Sequence, residues 1–401
     1  MSSSEMPRSV LIVMPRWVRD GGVGAHLMRS AEALAGAGVR VDVLVARIET
    51  DERVEGVELH HSPLLYKTSE MEPRFALALE REPEVVHLNQ LDDPDVVAFM
   101  RRHAAVAISA HGYLACASGL HYFHPGHACG RAHGSGCVPN LLLRGCAHRW
   151  DISDYPGDYR QAGRATRSLQ TADIAIGYSH AMERHLRRAG VERRRVVPYF
   201  PTLELPEGGA EAGRRIMFAG RMVPAKGGAT LLHALRLIDA ELVVCGDGVQ
   251  LGKLRALADR LGVADRVAFR GWLAPDELAR EFTQAAVVAV PSLWPEPFGL
   301  VGIEGFAAGR AAVGSATGGI PEWLEDGVSG LTVQPGDIEA LAAALGELLD
   351  DPERRAEMGR AGRAAVEARY SRERHLSALL GAYGDARTRW AAERAASPAF
   401  R

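Results

Sequence analysis

The chain has 401 residues, of which 47% are hydrophobic and 24% are charged. That length is too great for one ordinary domain and favours two domains of about 200 residues. A formal net charge of −3 and a pI near 6.6 give no indication of a nucleic-acid partner or a polybasic membrane-binding surface. The start is polar, and no apolar run reaches the length of a membrane span, so we expect a cytoplasmic protein without a transmembrane segment.

The first half of the chain alternates apolar strands with helices. Residues 10–14 form an unbroken apolar run, typical of a parallel strand buried on both faces, and a glycine turn at Gly21 and Gly22 follows it. Further elements are predicted as strands over 39–45, 85–88, 105–109 and 173–178, and as a helix over 95–103. This alternation indicates a doubly wound α/β sheet.

The second half repeats the same pattern after a segment rich in proline, glycine and glutamate. Its predicted elements are strands over 216–220, 241–245, 267–269 and 286–290, a helix over 249–261 and a last helix around 375–389. The resulting boundaries are an N-terminal domain over 1–200, a linker over 201–213, a C-terminal domain over 214–374 and a final helix over 375–401.

The segment 295–304 places two carboxylates eight residues apart, on either side of a change in backbone. Prolines on both sides of Glu296 hold it on a constrained loop, and the apolar helical pattern that follows puts Glu304 about one turn inside a helix. The free amides at the start of this helix attract anions. Such an arrangement would suit a nucleotide-sugar, with Glu296 on sugar hydroxyls and Glu304 on the ribose diol. The predicted donor-binding residues of the segment are Phe298, Gly299, Leu300, Val301 and Glu304.

This segment resembles the E-x7-E motif of retaining glycosyltransferases with the GT-B fold, of the GT4 type, and the resemblance extends over most of the chain. It implies two Rossmann-like doubly wound domains facing across a cleft, with the acceptor side in the first domain and the donor in the second. It implies a final helix that crosses back to the first domain. The implied reaction is transfer of a hexose with retention to a small-molecule or glycan acceptor. UDP is the favoured nucleotide, with GDP and ADP left open.

Two cations follow the first strand of the second half. Arg221 and Lys226 lie at the carboxyl end of that strand, where ligands bind in open α/β sheets. Residues 220–227 resemble the family's G-R-x4-K-G, whose Arg and Lys bind the diphosphate. At ~4 Å and an effective dielectric of ~20, each cation would offer on the order of 4 kcal/mol. Because charge grows on the leaving group, part of this would act on the transition state. The alternative is ordinary surface charge.

Other candidates lie at strand ends, where a plain turn or a structural role is the alternative for each. Gly22 resembles the glycine that approaches the donor phosphates, and Gly246 resembles the family's G-x-G beside the nucleotide. Arg270 and Trp272 lie where backbone groups in the family read the base. His111 matches the family's histidine near the transferred sugar.

A metal-dependent alternative comes from Asp93 and Asp95, which form a D-x-D like the manganese motif of the other major glycosyltransferase fold. With Pro94 between them, the residues instead fit a helix start, with an aspartate at the cap. We therefore expect catalysis without a metal cofactor.

A segment over 112–150 holds four of the five cysteines: Cys116, Cys129, Cys137 and Cys146. It is rich in glycine and histidine and has little apolar material, so a cross-link would supply what packing does not. Three states stay open: a structural zinc site, two disulfides, or free thiols. A cytoplasmic setting disfavours disulfides, and four thiolates, or three with a histidine such as His127 or His133, suit zinc. The spacing lacks the close C-x2-C pairs of strong zinc motifs.

Two other classes of function remain compatible with the sequence. A nucleotide-sugar epimerase or hydrolase of the same fold would form product without an acceptor. A non-catalytic nucleotide-sugar-binding protein would keep affinity without turnover, although no motif residue is missing. The sequence does not identify the acceptor or the oligomeric state.

Overall fold

The structure is a computed structural model, and it describes residues 6–18, 22–66, 70–114, 116, 129, 133–144, 155–205 and 213–396. The chain forms two compact units. The N-terminal unit contains the described residues up to Tyr199, except Cys129, together with the last helix from Arg372 onward. The C-terminal unit contains Cys129 and the described residues of Phe200–Ser371. The sequence-based boundaries, at residues 200 and 375, differ from these by one and three residues.

The N-terminal unit is built on a seven-stranded sheet with the order β3-β2-β1-β4-β5-β6-β7, and every neighbouring pair is parallel. Strands β4 and β5 are buried at every residue, as expected for central strands of a parallel sheet. In chain order the strands are β1 (Ser9–Trp17), β2 (Arg40–Ile48), β3 (Val57–His61), β4 (Val85–Asn89), β5 (Ala105–Ala110), β6 (Ile174–Gly177) and β7 (Arg194–Val196).

The C-terminal unit repeats this arrangement with six parallel strands in the order β10-β9-β8-β11-β12-β13. Each sheet therefore grows outward from its first strand to one side and then continues on the other, which is the doubly wound topology predicted from the alternation. The strands are β8 (Arg215–Ala219), β9 (Glu241–Cys245), β10 (Val267–Gly271), β11 (Val287–Val290), β12 (Ala311–Ser315) and β13 (Gly330–Val333).

Helices connect most successive strands in both units, with β2 and β3 joined by a loop. In chain order they are α1 (Gly22–Gly36), α2 (Met71–Leu79), α3 (Pro94–Met100), α4 (Cys137–Arg144), α5 (Tyr155–Thr171), α6 (His180–Arg188), α7 (Gly228–Leu235), α8 (Leu251–Leu261), α9 (Pro275–Gln284), α10 (Leu300–Ala307), α11 (Ile320–Trp323), α12 (Ile338–Asp350), α13 (Pro352–Arg369) and α14 (Arg372–Ala396). Within the described residues, no helix combines the length and apolar character needed to cross a membrane.

The last helix, α14, packs on β4, β5, β6 and α1 of the N-terminal unit. Polar contacts fix its outer end: the Trp390 indole N–H donates to the carbonyl of Arg101 at 2.7 Å, and Arg195 pairs with Asp385 at 2.7 Å. The helix is longer than the 375–389 predicted from its pattern, because it begins at Arg372 and continues to Ala396.

The sequence pattern located most of the central strands but missed the buried β12, its neighbour β13, and two polar strands at the edges. β3 reads Val-Glu-Leu-His-His and has no buried residue, and β7 reads Arg-Arg-Val. Edge strands bury little, so their composition carries no long apolar run. The helix predicted over 95–103 ends at Met100, and residues 101–103 form a turn.

Candidate functional site

The C-terminal sheet changes direction between β8 and β11, which are neighbours although far apart in the chain. Loops that leave two such strands turn to opposite sides and open a crevice at the carboxyl ends, where ligands bind. The loop after β8 carries Arg221 and Lys226, and the loop after β11 carries Glu296. The two loops are joined directly, since the Leu293 amide donates to the Ala225 carbonyl at 2.8 Å.

Gly227 allows this close approach of the two loops. It adopts the left-handed conformation (φ 74°, ψ 19°) between the turn at Lys226 and helix α7. A Cβ at this position would lie 1.9 Å from the carbonyl oxygen of Pro291, a distance that no side chain tolerates. Glycine is therefore required here, because any side chain would clash with the neighbouring loop. This packing explains the last glycine of the G-R-x4-K-G pattern.

Glu296 is the most constrained side chain of the crevice, with only 3% of its surface exposed. Its Oε1 accepts three hydrogen bonds: from Lys226 Nζ at 2.7 Å, from Ser292 Oγ at 2.6 Å and from the Trp294 indole N–H at 3.0 Å. A buried carboxylate needs such compensation. Its Oε2 receives no hydrogen bond from the described part of the chain. One oxygen is thus fixed, and the other keeps its full capacity as an acceptor.

The backbone of Glu296 is held from a second side by the loop that follows β12. The Gly319 amide donates to the Glu296 carbonyl at 2.8 Å, and a Cβ on Gly318 would lie 2.2 Å from that same oxygen. Sequence reasoning missed this glycine pair, as it missed Ser292 and Trp294. Two adjacent glycines three residues after the end of β12, and polar residues within four positions of Glu296, were the available signals.

Helix α10 begins at the left-handed Gly299 (φ 95°, ψ 58°), so the chain turns sharply from the loop into the helix. The amides of Leu300 and Val301 have no partner within the helix, as at any helix start, whereas the Gly302 amide donates to the Gly299 carbonyl at 3.0 Å. Leu300 and Val301 are half-buried there. Helix α10 packs closely against Trp323, because a Cβ on Gly302 would lie 2.0 Å from the Trp323 ring.

Phe298 serves as scaffold. Its side chain is buried, and its carbonyl accepts a hydrogen bond from the Trp323 indole N–H at 2.7 Å. The ring also contacts Tyr370 edge-on, with centroids 5.4 Å apart. Direct contact of this ring with a donor would require it to leave the core.

Glu304 is buried within α10, with 6% of its surface exposed. Thr202 Oγ1 donates to its Oε1 at 3.0 Å, and the Thr202 amide also bonds to the carboxylate. Burial raises the pKa of Glu304 to about 7, while the bonds from Thr202 act in the opposite direction. Thr202 lies in the predicted linker and carried no signal in the sequence.

The two cations behave differently. Arg221 is exposed, and within the described residues its guanidinium makes no hydrogen bond or ion pair. Lys226 is paired with Glu296, and 23% of its side chain is exposed. An ammonium has three donors, so two remain after the bond to Glu296. The sequence assigned both cations to a diphosphate and did not foresee the ion pair.

The remaining candidates of the C-terminal unit lie at the carboxyl ends of β9 and β10. Gly246 has φ 132°, and a Cβ there would lie 1.9 Å from the Gly220 carbonyl oxygen, so packing explains this glycine. Arg270 pairs with Glu281 at 3.1 Å. Trp272 is 47% exposed at the carboxyl end of β10, a position open to a flat ligand.

In the N-terminal unit, Gly22 is the exposed first residue of α1, and residues 19–21 lie outside the described part. The glycine of this region that packs closely is Gly24, because a Cβ there would lie 2.8 Å from the Val18 side chain. The role of Gly22 near donor phosphates stays a prediction.

His111 follows β5, and both of its ring nitrogens are hydrogen-bonded. Nε2 contacts Asn89 Oδ1 at 2.9 Å and Nδ1 contacts the Tyr199 hydroxyl at 2.9 Å, while Tyr178 stacks on the ring at 4.8 Å. Because Oδ1 only accepts, Nε2 carries the proton and Nδ1 accepts from Tyr199. Burial lowers the pKa of His111 to about 3, so the ring is neutral. A role of His111 beside the transferred sugar stays a prediction.

Three further histidines share this interior, and the four rings are here called the histidine network: His26, His87, His111 and His375. His87 bonds Tyr383 at 2.8 Å and Ser109 at 2.7 Å. His375 contacts Ser30 at 3.1 Å. Burial lowers the pKa of His87 to about 3 and that of His375 to about 4. The network joins α14 to the sheet through neutral hydrogen bonds.

The structure decides how the D-x-D sequence is used, whereas the alternatives for the four proposed metal-binding cysteines stay open. Asp93 caps α3, accepting from the Asp95 amide at 2.9 Å, so the helix-start interpretation is confirmed. Cys146 lies outside the described residues, and Cys129 groups with the C-terminal unit. The zinc, disulfide and thiol alternatives for Cys116, Cys129, Cys137 and Cys146 therefore stay open.

Two other features of the N-terminal unit are not candidate sites. Asp42, Glu58 and His60 bring ligand atoms together as a metal site would, but Arg81 pairs with both carboxylates and supplies positive charge. A cavity of about 770 Å³, lined in part by Glu84 and Trp390, lies at the amino ends of the strands, opposite to the edge where such sheets bind ligands.

Comparison with known proteins places this geometry in a family. The model described as "Glycosyltransferase Family 4" matches residues 20–199, and the model described as "Glycosyl transferases group 1" matches residues 206–365. Together they match most of the chain. A sucrose-phosphate synthase structure from Thermosynechococcus elongatus has the same fold, with a TM-score of 0.70 at 24% identity over 97% of this chain and 100% of that one.

Curated relatives match over part of their length. A D-inositol 3-phosphate glycosyltransferase of Mycolicibacterium gilvum is 39% identical over 183 residues, 44% of this chain and 40% of the relative. A GDP-mannose-dependent α-(1-6)-phosphatidylinositol monomannoside mannosyltransferase of Mycobacterium tuberculosis is 38% identical over 166 residues, 39% of this chain and 43% of the relative. The chain thus spans less than half the length of these relatives. On the two family models and the shared fold, the chain belongs to the GT4-type family of GT-B glycosyltransferases.

Proposed function

We propose that the protein transfers a sugar, with retention, from a nucleoside diphosphate donor to a small-molecule or glycan acceptor, without a metal in catalysis. The observation that carries the proposal is the state of Glu296. One oxygen is saturated by Lys226, Ser292 and Trp294, and the other is unbonded within the described residues at the switch point of the sheet. A fixed carboxylate with one oxygen still able to accept can bind a sugar hydroxyl in a defined direction.

The donor is assigned to the C-terminal unit. Glu296 Oε2 accepts hydrogen bonds from sugar hydroxyls, and Glu304 accepts them from the ribose diol. The diphosphate lies against Arg221, the two remaining donors of Lys226 and the amides from Gly299 to Val301. Gly246 shapes the nucleotide side of the crevice, and Trp272 offers a face to the base. His111 and Gly22 keep the roles that the family resemblance gives them.

The chemical step breaks the bond between the anomeric carbon and the phosphate oxygen, and the electron pair goes to that oxygen. The acceptor oxygen attacks from the same face, and its proton passes to the departing phosphate oxygen, so configuration is retained. Arg221 and Lys226 stabilise the charge that develops on the leaving group. Both glutamates hold the donor in this scheme, which leaves no carboxylate for a double displacement.

The nucleotide and the acceptor are proposed in general terms. UDP follows from the family resemblance, while one relative is named as GDP-mannose-dependent, so both nucleotides belong in any test. The relatives' names include an inositol phosphate and a phosphatidylinositol mannoside, and a polyol or glycan acceptor is consistent with these. The cytoplasmic location stays a prediction.

The experiment is a calorimetric and thermal-shift screen of UDP-, GDP- and ADP-sugars, followed by product analysis with and without a polyol acceptor. We expect one nucleotide series to bind, and sugar transfer to require the acceptor and to persist in excess chelator. Product formed without an acceptor would favour the epimerase or hydrolase alternative. Binding without turnover across a broad acceptor panel would favour a binding protein. Activity restored only by Mn²⁺ or Mg²⁺ would contradict metal-independent catalysis.

A further inference from the structure

Glu304 requires an explanation for how it can bind a ribose at all. A carboxylate accepts hydrogen bonds from both hydroxyls of a diol only when it is ionised, since a protonated carboxyl presents one oxygen as a donor. Burial disfavours the ionised form and raises the pKa of Glu304 to about 7. This value already includes the hydrogen bonds from Thr202, so without them a larger fraction of this side chain would be protonated near neutral pH and in the wrong state for its assigned task.

Hydrogen bonds from Thr202 oppose the effect of burial on the pKa of Glu304. Its hydroxyl donates to Glu304 Oε1 at 3.0 Å, and its amide adds a second bond to the same carboxylate. Donors to a carboxylate stabilise its ionised form. Burial and these two bonds are the influences on the pKa of Glu304 within the described residues, and no charged side chain takes part.

Both partners are held rigidly, which makes the contact pre-organised. Thr202 follows Pro201, which fixes its own φ, and Phe200, which is 4% exposed. Glu304 lies on α10 between Gly302 and Gly305, where Cβ atoms would meet Trp323 at 2.0 Å and Val288 at 2.8 Å. Neither backbone can shift far, so the direction of the carboxylate is set by the Thr202 hydroxyl.

We propose that Thr202, near the start of the C-terminal unit, is a positioning residue that orients Glu304 and favours its ionised form for a nucleotide ribose diol. The inference rests on the proposed function, because it takes Glu304 as the ribose ligand. It goes beyond that function by giving Thr202 control over recognition of the 2′- and 3′-hydroxyls.

The test measures the affinity of UDP and GDP, and of their 2′,3′-dideoxy counterparts, for the parent protein and for Thr202→Val and Thr202→Ser. In Thr202→Val we expect the affinity for the ribonucleotide to fall roughly tenfold at pH 7, while affinity for the dideoxy nucleotide changes by less than about twofold. Thr202→Ser retains the hydroxyl and should bind like the parent. Thr332→Val, a threonine of β13 in the same unit, is the matched control.

The pH dependence separates positioning from a merely structural role. In Thr202→Val the pKa of Glu304 rises further, so the deficit in ribonucleotide affinity should shrink as pH is raised from 7 to about 9. An equal loss for ribo- and dideoxy nucleotides, or a deficit independent of pH, would overturn the proposal. If the parent itself bound no nucleoside diphosphate, or bound both forms equally, the placement of the ribose at Glu304 would be wrong and the proposed function would fail first.

Discussion

The two units share one strand order over six strands, and one polar cluster in each uses its hydrogen-bonding capacity in a different way. In the N-terminal unit, His87 and His111 are neutral and have both ring nitrogens hydrogen-bonded. In the C-terminal unit, Glu296 has one oxygen saturated and the other without a hydrogen bond from the described residues. The first arrangement is closed, and the second keeps capacity for a ligand.

This difference shows how to separate a structural polar cluster from a binding site when both are buried. A satisfied network stabilises one packing and has little left to offer a ligand. A carboxylate held rigidly through one oxygen keeps its second oxygen available to an incoming donor. Titration of the N-terminal unit should therefore affect stability, and changes around Glu296 should affect turnover.

The largest expected effect is acid destabilisation of the N-terminal unit. The pKa of His87 is lowered to about 3 and that of His375 to about 4, so the unfolded chain binds more protons than the folded one below about pH 6.5. Their contribution to stability is complete above pH 6.5 and is lost as pH falls towards these values. Between pH 7 and 5 the loss should be about 2 kcal/mol for each ring.

Amide hydrogen exchange between pH 7 and 5, corrected for intrinsic rates, measures this loss unit by unit. Protection of α14 and β5 should weaken, and that of β8 and β11 should weaken far less. His87→Gln should reduce the pH dependence, whereas His103→Gln, at an exposed position, should leave it unchanged. An equal loss of amide protection in both units would contradict the prediction that acid destabilises mainly the N-terminal unit.

The next effect concerns the open carboxylate. Glu296→Gln should lower turnover about 100-fold, because a contact that strengthens in the transition state is lost. The affinity for free nucleoside diphosphate should change by less than about threefold, since the partner of Glu296 is the sugar. Steady-state kinetics and calorimetry give the two values, with the exposed Glu325→Gln as control. Equal losses in turnover and nucleotide affinity would place Glu296 on the nucleotide instead.

A smaller effect is expected when the fixed oxygen loses one of its three donors. Ser292→Ala and Trp294→Phe each remove one hydrogen bond to Oε1 and should lower turnover by about fivefold to tenfold. Lys226 remains, so the charge stays compensated. If both single variants turned over like the parent, orientation of Glu296 by these two residues would not contribute to the rate.

The smallest effect should come from the exposed cation. Arg221→Ala is expected to weaken nucleoside diphosphate binding by about fivefold at low salt and by less at high salt, because exposed charges are screened. Binding of the nucleoside without phosphates should not change. Arg236→Ala, an exposed arginine of the same unit, is the matched control. A loss of affinity that also affects the nucleoside would argue against a phosphate contact.

The sequence by itself determined the features that depend on neighbouring residues. Apolar runs located most of the central strands, with β12 the exception, and the glycines and prolines around Glu296 located the loop and the start of α10. Strand-end positions identified Arg221 and Lys226 as cations of one edge of the sheet. These conclusions hold because periodicity, turn chemistry and strand direction are set within a few residues.

Only the tertiary structure decided which of these residues meet. The Lys226–Glu296 pair joins residues 70 apart in the chain, Thr202 reaches Glu304 across 102, and His87 reaches Tyr383 across 296. It also placed the Phe298 ring in the core and gave Gly246 a packing role. The physical reason is the strand order: it brings β8 beside β11 and α14 onto β4, and no local pattern of side chains specifies which strands become neighbours.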